Sequence, residues 1–295
     1  MTRRAGIARL GLILFLAAAG IPAYGSEIEL LQADGSRLTL DATAERIITL
    51  SPHLAELAWA AGAGEKLIAT VAFSEYPRKV LELPRIGDAF RLDIERIVAL
   101  DPDLVVAWDS GNPRSAIGQL KTLGIPVWSV EIRQPAAIAD TLEALGRAAG
   151  TAGTARPAAK SLRRRLASLA ASYGDAAPVS YFYQVDSRPL FTINGQHLIS
   201  RGLALCGGHN IFADEPGLAF QASYESVIAA NPDALFAPYP DGDEDPLEFW
   251  RDWPAMQAVQ RDALFLLPAD SISRATPRFL DSLELACKLL HRLRD

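Results

Sequence analysis

The residue types that most often carry chemistry are sparse in this chain. It holds four histidines (His53, His197, His209 and His291) and two cysteines (Cys206 and Cys287). The histidines have no zinc-ligand spacing and read as structural, so no metal site is expected. No G-x-S-x-G, H-E-x-x-H or P-loop signature occurs, and no spacing of Ser, His and acidic residues picks out a triad. What recurs instead is an aromatic side chain with a carboxylate. Phe90, Glu95, Pro102 and Asp103 return as Phe220, Glu225, Pro232 and Asp233, 130 positions later and in the same register. Further on, Asp270 and Arg274 stand four apart, on one face of a helical turn, where either could bond an amide or a phosphate. The plainer reading of that pair is a surface ion pair worth at most about 1 kcal/mol.

The elements that must position these residues follow from the same repeat. Each copy reads as a short helix, a Pro-Asp break and a buried strand. Proline ends the helix because it lacks an N–H and clashes with the preceding turn. The short apolar run that follows suits a strand covered on both faces. Two similar α/β lobes are therefore expected.

In the first half, Glu27 to Leu40 alternates around Asp34-Gly35 as a hairpin. Arg46 to Leu50 is a strand, Ser51 a helix cap with Pro52 at the first helical position, and Leu54 to Ala61 a helix. Leu67 to Ala72 is a strand running into Phe73, and the repeat strand ends at Trp108. Helices over Ala116–Leu123 and Ala136–Ala149 flank a strand at Ile125–Val130. Ala155 to Ser172 is rich in Ala, Leu, Arg and Lys, all good helix formers, with Leu162, Leu166 and Leu169 on one face. It reads as a stiff link. The second half resumes with strands at Val179–Gln184 and Leu264–Leu267 and helices at His197–Leu205 and Phe279–Leu293. The expected division is residues 26–150, a linking helix over 151–174, and residues 175–295. Alternating strands and helices call for largely parallel sheets.

At 295 residues the chain has room for two such units. A formal net charge of −6 supplies no basic field for nucleic acid. Residues 1–25 read as a secretory signal. Arg3, Arg4 and Arg9 precede an apolar run from Leu10 to Ala19, and small residues stand at Ala23 and Gly25. An uncleaved membrane anchor is the alternative. In an exported protein Cys206 and Cys287 form either a disulfide or two buried thiols. A disulfide would close a loop of about 80 residues, worth roughly 4 kcal/mol. The acidic stretch Asp241–Pro246 reads as a solvated loop rather than a cation site.

Five segments carry a resemblance: residues 49–52 (TLSP), 73–77 (FSEYP), 95–104 (ERIVALDPDL), 206–212 (CGGHNIF) and 273–278 (SRATPR). They resemble those of periplasmic cobalamin-binding proteins, the soluble receptors of vitamin B12 ABC importers. The likeness covers about residues 44 to 290. The early segments are shared with siderophore- and haem-binding relatives, while the last is more specific to the cobalamin branch. The resemblance implies two Rossmann-like lobes with mainly parallel sheets, one long rigid helix between them, a ligand cleft between the lobes, and a Cys206–Cys287 disulfide.

By the same resemblance, Phe73, Trp108, Phe191, Asp270 and Arg274 contact ligand. Two family tryptophans fall on Ala89 and Ala219 here, and Phe90 and Phe220, one place later, are expected to replace them. A corrinoid is a large flat ring with amide arms and a nucleotide tail. Apolar rings suit its faces, and sparse polar groups fix its orientation. Cobalamin brings its own cobalt ligand, so neither a protein ligand nor a cofactor is required. Glu95 and Glu225 begin their helices, where the dipole favours a carboxylate. The alternative to that plain role is docking, one carboxylate from each lobe on a two-fold ABC permease of the inner membrane, which the repeat fits because a two-fold partner needs matching contacts. The expectation is thus a monomeric periplasmic receptor for a corrinoid, not an enzyme. A haem or ferric-siderophore receptor, with His197 or His209 as axial candidate, is the alternative within that class. An exported hydrolase is the alternative outside it.

Overall fold

The computed structural model describes residue 2, residues 27–239 and residues 245–294. The expected signal segment, residue 2 apart, lies outside the described residues. So does the acidic loop before Asp245.

The first half opens with a hairpin of β1 (Ile28–Leu31) and β2 (Arg37–Leu40). Then come β3 (Ile47–Thr49), α1 (Pro52–Ala60), β4 (Leu67–Ala69), α2 (Ile94–Ala99), β5 (Leu104–Trp108), α3 (Arg114–Thr122), β6 (Val127–Val130) and α4 (Pro135–Ala148). The strands form a parallel sheet in the order β4-β3-β5-β6. Helix α5 (Ala152–Tyr173) leads into the second half.

There β7 (Val179–Tyr183), β8 (Asp186–Ser187), β9 (Leu190–Ile193), α6 (Leu198–Ala204), β10 (Gly208–Asn210), β11 (Ala219–Gln221), α7 (Tyr224–Ala230) and β12 (Ala234–Pro238) come first. They are followed by α8 (Gln257–Gln260), β13 (Leu264–Leu267), α9 (Ala269–Ile272) and α10 (Phe279–Arg292). The second parallel sheet runs β10-β7-β12-β13, and β11-β9-β8 form a small antiparallel sheet beside it.

Both main sheets are covered on two faces, which is why their strands are apolar runs without alternation. In the first sheet Ile47, Leu104 and Val106 enter one core cluster, while their neighbours Ile48, Val105 and Ala107 enter another. The first of these clusters does not stop at the lobe boundary. It continues through α4 and the Leu162, Leu166 and Leu169 face of α5 to Tyr181, Phe236 and the α10 side chains Leu283 and Leu290. Arginines beside that face brace the helix in both directions. Arg163 pairs with Asp140 and Glu143 on α4, and Arg165 with Asp281 and Glu284 on α10. The link is stiff because it is part of the core.

The 130-residue repeat has a structural content in each lobe. Asp93 and Ser223 cap α2 and α7 by accepting from the N–H three residues on. Asp101 and Asn231 end the helical segments at φ +46 and +47, a left-handed position that these two residue types tolerate. The Pro-Asp carboxylate then ties the first strand of its sheet. Asp103 accepts from the N–H groups of Glu45 and Arg46 at 2.8 and 2.9 Å. Asp233 accepts from the N–H and hydroxyl of Ser180 at 2.9 and 2.6 Å. Asp233→Ala is expected to cost about 1–2 kcal/mol, seen as a lower urea midpoint at unchanged slope.

Two local expectations are corrected. Ser51 occupies the cap position of α1 with Pro52 following, yet its hydroxyl makes no cap bond. It bonds His53 Nδ1 at 2.7 Å instead, a competing local partner two residues away. Strand β4 ends at Ala69, not Ala72, because Thr70 leaves the sheet to bridge Arg85. The disulfide reading holds over free thiols. Cys206, after α6, is bonded to Cys287 on α10 with Cα atoms 5.3 Å apart.

Candidate functional site

Ligands of parallel α/β sheets bind beyond the carboxyl ends of strands. At that end of the first sheet, β3 leads through Leu50 and Ser51 to His53, and β5 ends on Trp108. The His53 and Trp108 rings meet edge to face with centroids 5.5 Å apart. Asn112 fixes this corner. It accepts from the Trp108 N–H at 2.7 Å and donates to Leu50 O at 2.9 Å and Ala89 O at 2.8 Å. One buried amide thereby holds two strand ends and the segment carrying Phe90. The Asp88 carboxylate receives the Phe90 and Arg91 N–H groups and completes that turn.

Phe73 and Phe90 are 72% and 69% exposed. Side chains of that size, left bare beside a sheet's carboxyl end, mark a contact surface rather than core. Phe73 has φ +63, an uncommon conformation for a bulky residue that persists only where the surroundings impose it.

The second lobe answers across the gap. Arg274 Nη2 donates to Phe73 O at 3.3 Å and pairs with Asp270 at 3.0 Å. Asp270 lies in the first turn of α9 and Arg274 just beyond its end, so the expected four-residue pairing is present. Nearby, Arg278 makes a two-pronged bond to Glu56 of α1, at 2.8 and 2.7 Å, and lies 3.9 Å over the Tyr76 ring. The Glu56 bonds hold the Arg278 guanidinium in its charged form and raise its pKa.

Phe73, Trp108, Asp270 and Arg274 are thus brought together, with Phe90 tied to the same corner through Asn112. Phe191 and Phe220 lie apart from them on the small antiparallel sheet, half-buried on adjacent strands. Phe191 is paired with Gln221, and the Phe220 ring packs on Phe212. No ring pair among the described residues joins either of them to Phe73, Phe90 or Trp108. A groove of about 870 Å³ opens next to this sheet, at the ends of β7 and β12, lined by Gln184, Asp186, Tyr224 and Phe249 among others.

Glu95 and Glu225 are exposed, each second in its capped helix. Among the described residues no group of three or more His, Cys, Asp or Glu is placed to hold a metal ion, and no helix is long and apolar enough to cross a membrane.

Sequence reasoning passed over His53, Asn112, Glu56 and Arg278. Glu56 had a signal, a lone carboxylate inside the apolar helix run Leu54–Ala60. His197 and His209, the axial candidates, stand elsewhere. His197 caps α6 by accepting from Ile199 N–H at 3.3 Å, and His209 is exposed in β10. The histidine at the strand-end corner is His53.

Burial, helped by the Arg274 charge, pushes the His53 imidazole down to about 4. Burial alone pushes His197 down to about 4. Below pH 6.5 the unfolded chain takes up protons that these folded imidazoles refuse, so stability falls as pH drops from about 6.5 to about 4 and levels off beneath. Each histidine should account for about 3 kcal/mol of that fall. Urea midpoints at pH 7 and pH 4.5 check this, with a smaller fall expected in His53→Gln and His197→Gln.

The comparisons with known proteins agree with this architecture. A family model described as periplasmic binding protein matches residues 47–271. A vitamin B12-binding protein of Vibrio cholerae is 39% identical over 251 residues, 84% of this chain and 89% of that protein. A vitamin B12-binding protein of Yersinia pestis is 36% identical over 86% of this chain and 89% of its own length. The crystal structure of the periplasmic vitamin B12 binding protein BtuF of Vibrio cholerae superposes with a TM-score of 0.80 at 38% identity, covering 85% of this chain and 98% of that one. A periplasmic haem binding protein of the same organism has a TM-score of 0.72 at 22% identity, over 83% and 98% of the two chains, a likeness of fold. Matched over most of its length, and built as two parallel sheets on one bridging helix, this chain belongs to the periplasmic binding protein family.

Proposed function

We propose that the chain is the periplasmic receptor of an ABC importer, capturing cobalamin or a related corrinoid between its lobes and handing it to a membrane permease. The observation that carries this reading is the corner of Trp108, Phe73, Phe90 and Arg274. Two exposed phenylalanines, the half-buried Trp108 and a cross-lobe guanidinium lie at that corner, in a chain 39% identical to a vitamin B12-binding protein. Flat rings suit the faces of a corrin, and Arg274 with Asp270 suits its amides or phosphate. Phe191 and Phe220 are assigned to the second wall. They reach the same ligand if it spans both lobes.

In this reading residues 1–25 are removed on export, residues 26–150 and 175–295 are the two lobes, and 151–174 is the bridge. The receptor is monomeric, uses no cofactor and does no catalysis. Glu95 and Glu225, at matching places in the two lobes, dock on a two-fold permease, because a two-fold partner needs the same contact twice.

Calorimetric titration of the purified protein with cyanocobalamin, cobinamide and haemin tests the reading. Saturable corrinoid binding is expected, weakened about tenfold or more by Trp108→Ala and by Arg274→Ala. Binding of haemin or a ferric chelate with none of either corrinoid would reassign the cargo. Turnover of an ester or amide would revive the hydrolase.

A further inference from the structure

His53 is placed as few histidines are. It is the second residue of α1, where side chains lean back toward the helix start and here toward the carboxyl end of β3. Its Nδ1 is occupied by the Ser51 hydroxyl at 2.7 Å, a bond that leaves Ser51 without its capping role. Its ring is held edge-on to Trp108, and Arg274 approaches from the other lobe. Nε2 has no hydrogen-bond partner among the described residues, and the residue as a whole is half-buried. An imidazole with one nitrogen fixed by a hydroxyl and the other bare, in a ligand-facing corner, has the arrangement of a metal-ligating histidine. The bond at the far nitrogen fixes the ring orientation, and with Nδ1 donating to the Ser51 hydroxyl the Nε2 lone pair is free.

We propose that His53 Nε2 coordinates the cobalt of corrinoids whose axial position is open, namely those lacking the nucleotide tail or carrying it detached. The proposal rests on the receptor reading above and adds a chemical class to its cargo. The step is a ligand exchange without redox change. The Nε2 lone pair forms a cobalt–nitrogen bond, the cobalt–oxygen bond of a coordinated water breaks, and that water leaves with its electron pair. The proton on Nδ1 stays on the hydrogen bond to Ser51. A corrinoid with its tail attached has that face filled and binds through the aromatic faces and Arg274 alone. The receptor would then accept incomplete corrinoids by supplying the ligand they lack.

Diaquocobinamide and its reduced cobalt(II) form are the probes. Binding to the full chain is expected to shift the visible bands of diaquocobinamide to those of an imidazole adduct. His53→Ala is expected to abolish the shift and to weaken binding about tenfold. A measurement without any variant stands beside it. Bound cobalt(II) cobinamide should show nitrogen superhyperfine triplets in its electron paramagnetic resonance spectrum, turning to doublets when the protein carries 15N-histidine. If cyanocobalamin and cobinamide bind but bound cobinamide shows neither the shift nor the splitting, coordination by His53 is overturned and the receptor reading stands. If neither corrinoid binds, the receptor reading falls and this proposal with it.

Discussion

A chain carrying Glu95→Lys and Glu225→Lys together is expected to bind corrinoid within about twofold of the unaltered protein while supporting no uptake in cells. The first half of that expectation follows from placement. Both carboxylates are exposed on α2 and α7, the second residue of each, and neither makes an ion pair among the described residues. Reversal loses a favourable dipole interaction of roughly 0.3–1 kcal/mol per helix, too little to unfold either lobe. The Asp93 and Ser223 caps stay in place. The second half follows from charge. If each glutamate meets an arginine of the permease, truncating one such pair costs about 2–5 kcal/mol, and lysine adds repulsion to that loss. Two reversals on one rigid body compound, because the stiff bridge cannot tilt one lobe down alone. Each single reversal should lower uptake only partly. Uptake assays in cells carrying the variant, set beside calorimetry on the purified protein, decide the matter. Undiminished uptake by the double variant removes these residues from docking.

Replacing Cys206 and Cys287 with alanine is expected to give a large loss of stability. The bond closes a sequence separation of 81, for which the chain-entropy model gives about 4 kcal/mol. Both cysteines are fully buried, so alanine adds only a small cavity and no unpaired polar atom. A loss of that size lowers the melting temperature of a protein this long by roughly 10 °C. The whole transition should move, although the bond lies within the second lobe. Cys287 sits on α10, and α10 shares one continuous apolar cluster with α5, α4 and the first lobe. Thermal scans of the variant, and of the unaltered protein with and without dithiothreitol, test this. Reductant should reproduce the shift in the unaltered protein and do nothing to the variant. A split transition, with the first lobe melting where it did before, would refute the shared core.

The repeat was the most legible feature of the sequence, for a physical reason. A helix, a Pro-Asp break and a buried strand are each encoded within a few residues. Proline halts the helix, aspartate reaches the neighbouring strand's N–H groups, and a strand covered on both faces must be apolar throughout. The offset of 130 that relates Phe90 to Phe220 also relates β5 to β12, residue for residue. The α5 helix was legible too, since its leucines fall on one face and its composition favours helix. Capping was legible only in part. Asp93 and Ser223 cap as their types predict, whereas Ser51 had a second local partner in His53, and a rule based on position cannot weigh the two.

The sequence by itself determined the elements, their alternation, the doubled lobe and the aromatic and charged residues from which a ligand surface could be made. The tertiary structure alone decided which of these meet. Arg278 finds Glu56, and Arg274 finds Phe73, across separations of 222 and 201 residues. Their segment stood out in the sequence, but nothing local to it names Glu56 or Phe73 as partners. Asn112 gains its role only because the fold brings Leu50, Ala89 and Trp108 to its amide. His53 looked structural until Ser51, Trp108 and Arg274 surrounded it. Secondary structure is written in spacings of two to four residues, where each side chain's neighbours are fixed by covalent geometry. A site is assembled by packing, and its partners are chosen by which surfaces the core brings together.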